Sequence, residues 1–207
     1  MAARTHSTSI PMPTVKDVED ARRNFLVGEP RYLFYRVATE LIDLSRKNKT
    51  TVSVAEALAV LLQTWNVSFY RFRGRFTEQD LAKIKALVSD HHAMIEEYRE
   101  RSISSLTSGE EDALRRLFSR FEDVLGPVGA AKSLHLLAPL FFPLWDRAIA
   151  KAYHVNLDRE APDGYIRFMR ISKEQCQVLA EQGAPWLDLL KALDEYNYCT
   201  YVLSPKN

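Results

Sequence analysis

Long apolar runs are missing from this chain. A membrane helix needs roughly 18 or more consecutive apolar residues, and the longest candidate, Leu136 to Trp145, is short and broken by Pro139 and Pro143. A helical membrane span is therefore excluded. Glycine is scarce, 7 of 207 residues, and few segments alternate polar with apolar side chains, so strands and tight hairpins are poorly supplied. Cys176 and Cys199 are the two cysteines; too few and too far apart for a zinc or iron–sulfur site, they read as reduced thiols in structural roles. An excess of one charge is missing as well. The 28 Lys and Arg stand against 27 Asp and Glu, a formal net charge of +1, so nucleic-acid binding has to come from a local patch.

What remains has ordinary globular composition, 46% hydrophobic and 27% charged, and a length that one domain can hold with a sizeable core. The fold expected is all-α, two helical lobes with a site between them. Residues 1–13, with Arg4, several Ser and Thr and no acid, read as a disordered tail, and 14–207 as a single helical domain. Its lobes are expected at about 53–125 and at 14–52 joined to 126–207. Capping-box spacings, Ser53 with Glu56, Ser108 with Glu111 and Ser172 with Gln175, mark three helix starts. Further helices are expected over Val15 to Phe25, Arg31 to Lys47 with Leu33, Val37, Leu41 and Leu44 on one face, Val54 to Asn66, Thr77 to Arg101 and Glu110 to Val124. Asn156 to Gly164 reads as a polar loop, Tyr165 to Met169 as a short strand or a helix extension, and a last helix begins near Pro185.

From Gly126 the character changes. Gly126-Pro127-Val128-Gly129 reads as a turn leading through Ala130 and Ala131 to Lys132. A helix N-terminus after such a turn presents unpaired N–H groups, which suit a phosphate oxygen; an ordinary helix start fits the same spacing. Lys132 lies among small apolar residues, where desolvation favours a nucleophilic amine. Asp146, after Trp145, opens the next helix, as a plain N-cap or as a carboxylate that stabilises positive charge and orients water.

This region resembles the helix-hairpin-helix DNA glycosylases with a GPD-type active site. Val128-Gly129-Ala130-Ala131-Lys132 looks like the end of the hairpin and Pro143-Leu144-Trp145-Asp146 like the loop that delivers the aspartate. Asp146 to Tyr153 is similar to the following helix, and Ala55 to Asn66 to an early family helix. The likeness covers roughly Ser53 to Val155. The lysine-to-aspartate interval is several residues shorter than in the family, which leaves the role of Lys132 open. The resemblance implies a DNA glycosylase that flips a damaged or modified base out of double-stranded DNA and cleaves its N-glycosidic bond, acting in the cytoplasm as a monomer with neither cofactor nor metal. Asp146 would stabilise the oxocarbenium-like cation; Lys132, in a bifunctional enzyme, would form a Schiff base. Gly126, Val128, Gly129, Ala130 and Ala131 would receive phosphate.

Two other features fit. Arg71, Arg73 and Arg75 interleave with aromatics in Tyr70 to Phe76, suited to phosphate contact and stacking or to an amphipathic connector. Gln63, Trp65, Asn66 and Trp145 are candidates for lining the base pocket or plugging the gap left by the base, or, more simply, for core and capping roles. His91 and His92 are adjacent, not i, i+4, and read as surface; His135 and His154 each read as a hydrogen-bonded core residue. The alternatives are a non-catalytic helical nucleic-acid-binding module and a protein-interaction scaffold.

Overall fold

In the computed structural model the described residues are Ile10, 12–30, 32–65 and 76–203, and among them helix is the only regular structure. The chain is all-α. Local chemistry explains where helices begin. Thr14 and Asp17 form a reciprocal capping box at the start of α1 (Val15–Gly28), and Thr77 with Asp80 does the same for α4 (Glu78–Asp90). At α3 (Val54–Trp65), the Ser53 backbone N donates to Glu56 Oε2 at 2.7 Å and Glu56 N donates back to Ser53 Oγ at 3.3 Å, as the spacing predicts.

Other starts differ from expectation. The helix expected from Thr77 to Arg101 breaks at His91, giving α4 and a separate α5 (His92–Arg99). Ser108 opens a single 3₁₀ turn, Ser108–Glu110, and α6 (Glu111–Leu137) follows with Glu110 at its N-cap. Ser172 starts nothing: it is buried inside α8 (Ala161–Glu181), which absorbs Tyr165 to Met169 as helix. The reason is periodicity. Ala161, Tyr165, Phe168, Ser172, Cys176 and Leu179 are all buried along α8, a continuous stripe that outweighs one local cap signature. The last helix, α9, runs Leu189–Tyr198, not from Pro185, and passes into a π-helical turn, Cys199–Leu203.

α2 (Tyr32–Arg46) turns a different face inward from the one expected. Ala38 and Ile42 are buried, while Leu33 and Val37 are exposed. One hydrophobic cluster runs from Ala38 on α2 through α3, α4, α5, α6 and α8 to Leu193 on α9; a small satellite of Val18, Leu179 and Ala192 ties α1 to α8 and α9. The loop between α6 and α7 (Arg147–Ala152) belongs to that core, with Phe141, Phe142 and Trp145 at most 1% exposed. Two of its carbonyls are met from outside: Ile103 N donates to Leu140 O and Tyr165 Oη to the buried Pro143 O, both at 2.8 Å. No helix among the described residues is long and apolar enough to cross a membrane.

Candidate functional site

α3 ends at Trp65, and its terminal carbonyl finds a partner in Lys132 of α6, whose Nζ donates to Trp65 O. The same ammonium lies 5.7 Å from the centre of the Trp65 ring. The last carbonyls of a helix are unpaired and carry its negative end, so a cation is favoured there. Trp65 stacks on Tyr35 at 5.4 Å and 14°, and Tyr35 on Tyr32 at 6.0 Å and 18°. Among the described residues two helices thus build a row of three near-parallel rings, with the half-buried Lys132 beside Trp65. Gln63, two residues before Trp65, is half-buried with its Nε2 unpartnered among the described residues.

Deeper in, His135 fixes the row. Its Nδ1 lies 2.8 Å from Phe142 O, an obligate acceptor, so Nδ1 carries the proton and Nε2 accepts the Tyr35 hydroxyl at 3.1 Å. Burial in the core pushes the His135 pKa down to about 4, so the ring is neutral near pH 7. Burial likewise raises the Tyr35 phenol, which stays protonated and donates.

Lys191 of α9 closes the inner end. It is 3% exposed, and its ammonium lies 4.6 Å from the Phe25 ring centre, 5.0 Å from Tyr35 and 5.7 Å from Tyr32. Asp194 Oδ2 sits at 2.8 Å and Glu195 Oε1 at 3.4 Å, and Arg22 Nε meets Glu195 Oε2 at 2.9 Å. Desolvation opposes the charge on Lys191, but the two carboxylates outweigh it and its pKa is raised. Sequence reasoning missed this cluster. The available signal was a lysine with acids at i+3 and i+4 between Leu190 and Leu193, which reads as a commonplace surface pair.

Asp146 stands elsewhere, as the N-cap of α7, with Oδ1 accepting from Ile149 N at 2.9 Å. No hydrogen bond or ion pair joins it to Lys132 among the described residues. Trp145 corrects the pocket-or-plug expectation. It is 1% exposed, boxed by Phe118, Tyr165 and Phe168, with Nε1 donating to Pro127 O at 3.1 Å; it is a core residue.

The phosphate cradle expected at Gly126 to Ala131 is also corrected. Gly126 adopts φ 70°, ψ 167° and bends α6 by one residue, after which Pro127 restarts the helix. Pro suits that first position, having no N–H to leave unpaired. Gly126, Gly129, Ala130 and Ala131 are buried, and of the two half-exposed residues Pro127 has no N–H, so no open ring of N–H groups faces solvent. Asn66, Arg71, Arg73 and Arg75 lie outside the described residues. Among those described, no group of three His, Cys, Asp or Glu is placed to hold a metal ion. The chain matches no family model, no curated protein and no solved structure.

Proposed function

We propose that this protein binds double-stranded DNA and receives an unstacked, damaged or modified base beside Trp65 and Lys132, at the end of α3. The observation that carries this reading is the seating of Lys132 on the half-buried face and carbonyl of Trp65, directly before a sequence run that interleaves Arg71, Arg73 and Arg75 with aromatics. Aromatic platforms with cations beside them take bases by stacking and phosphates by charge, without needing a large net charge. Lys132 serves here as a contact. Its Nζ is engaged by the Trp65 carbonyl, and a Schiff-base role would require that contact to be exchanged for the sugar carbon.

A second reading adds catalysis, base excision by Asp146. It is favoured by the half-buried Asp146 carboxylate, oriented through one oxygen by the start of α7, and by the glycosylase resemblance of the surrounding residues. Held in this way, the carboxylate would face the cation that develops on the sugar as the glycosidic bond breaks, and would orient the attacking water.

The test is duplex binding and base release by the full chain. Trp65→Leu should weaken binding to duplexes with an unpaired or modified base by about 5–100-fold, the range of one lost base–aromatic stack, with helical content unchanged by circular dichroism; unchanged affinity would overturn the reading. Release of free base that disappears in Asp146→Asn establishes excision, and a borohydride-trapped adduct lost in Lys132→Ala would make the enzyme bifunctional. Binding without release leaves a non-catalytic module, and no affinity for any duplex sinks both readings in favour of a protein-interaction scaffold.

A further inference from the structure

α7 carries two cations and a backbone irregularity that the Trp65 row does not involve. Arg147 and Lys151 stand at i and i+4 on α7 and so share one face. The chain leaves the helix through His154, whose φ of 59° lies in the left-handed region. His154 N donates to Lys151 O at 3.1 Å and Val155 N to Ala150 O at 2.8 Å, the two bonds of a Schellman stop. Glycine takes that position without strain. This chain instead places a histidine there, exposed and not in the core as expected, and a side chain held where glycine would be cheaper is a pointer to use.

The side chain borders a cleft of about 440 Å³ lined by Arg147, Lys151, His154, Asn156 and Asp158 over the buried Val155, a volume within the range of small-ligand sites. Asp158 is the one carboxylate of that lining. Arg147 grips it in a fork, Nη1 at 3.1 and 3.3 Å and Nη2 at 3.1 Å. Both side chains are about two-thirds exposed, 67% and 71%, so the pair is weak and water-screened. It holds the guanidinium at the rim in a geometry suited to a tetrahedral oxyanion, which competes for the same fork.

We propose that this cleft is a phosphate-binding site, with Arg147 and Lys151 supplying charge and His154 a ring N–H donor from the helix stop. The proposal stands on residues apart from the Trp65 row and does not depend on the DNA reading. Its test begins with the full chain, ¹⁵N-labelled and titrated with inorganic phosphate at constant ionic strength. Saturable shifts confined to the amides of 147–158 are expected, and they should vanish in the Arg147→Ser/Lys151→Ser double variant. His154→Gly separates use from architecture: it should melt at the same or a higher temperature than the wild type while its phosphate affinity drops severalfold. Absence of saturable shifts overturns the proposal, as does a His154→Gly variant that melts lower and binds phosphate unchanged.

The source of the phosphate is read from duplex binding. If Arg147→Ser lowers the slope of log K against log salt by about 1, the site grips a DNA backbone; an unchanged slope with phosphate binding intact assigns it to a free phosphorylated molecule. A wild type that binds no duplex would sink the Trp65 reading alone, since the inorganic phosphate titration decides this one separately.

Discussion

Lys191 and Lys132 lean on the same row of aromatic rings from opposite ends, in surroundings of different kinds. Lys191, almost wholly buried, has two carboxylates within 3.4 Å and Arg22 behind one of them. Lys132, half-buried, has a helix-end carbonyl and a ring face. An ammonium removed from water has to be neutralised by acids, whereas at a helix terminus the partial charge of the carbonyls adds to whatever else meets the cation. The first lysine belongs to the core; the second is half-buried at the end of α3.

The comparison is broken most easily at its buried end. Lys191→Met removes the ammonium that Asp194 and Glu195 share and leaves Arg22 against Glu195, which should cost roughly 3–5 kcal/mol. For a chain of this size that is a fall in melting temperature on the order of 10 °C. A loss under about 1 kcal/mol would mean that water reaches the cluster.

pH sharpens the comparison next, through His135. Its folded pKa of about 4 lies below the ordinary value of 6.5, so the unfolded chain binds one more proton than the folded chain between those limits. Stability from this group is fully present above pH 6.5 and declines as pH falls toward 4, by up to about 1.4 kcal/mol per unit. Urea midpoints measured across that window should fall in the wild type, and His135→Gln should flatten the decline by about one proton.

The smallest stability effect is expected at the outer end. Lys132→Ala removes one helix-terminal charge and should cost about 0.5–1 kcal/mol, while reducing affinity for a base-modified duplex well beyond that fraction. A variant that loses several kcal/mol and keeps its affinity would make Lys132 as structural as Lys191.

Helices were legible in the sequence where the cause is local. Thr77 and Ser53 cap the helices expected of them, and His135 is the hydrogen-bonded core histidine expected. Features decided by distant packing were not. Leu33 and Val37 look like a buried stripe, but Ala38 and Ile42 face the core, since the neighbours of α2 and not its own pattern choose the inward side. The turn read at Gly126 contracts to a one-residue bend because Pro127 is itself a good first helical residue. Of the site, Lys132 and Trp65 were each singled out, yet their contact joins residues 67 positions apart, and no spacing rule foresees it.

The contacts between α1 and α9 also set a schedule for the chain's birth on the ribosome. Arg22 meets Glu195, Ala21 O accepts from the Cys199 thiol at 3.3 Å, and Glu29 accepts from the Tyr198 hydroxyl at 2.7 Å, so α1 is completed by residues made well over a hundred positions later. Until α9 emerges, Phe25, Tyr32 and Tyr35 lack the lysine that covers them. A product stopped short of residue 189 would display those rings as an unfinished surface, the kind that chaperones and proteases survey.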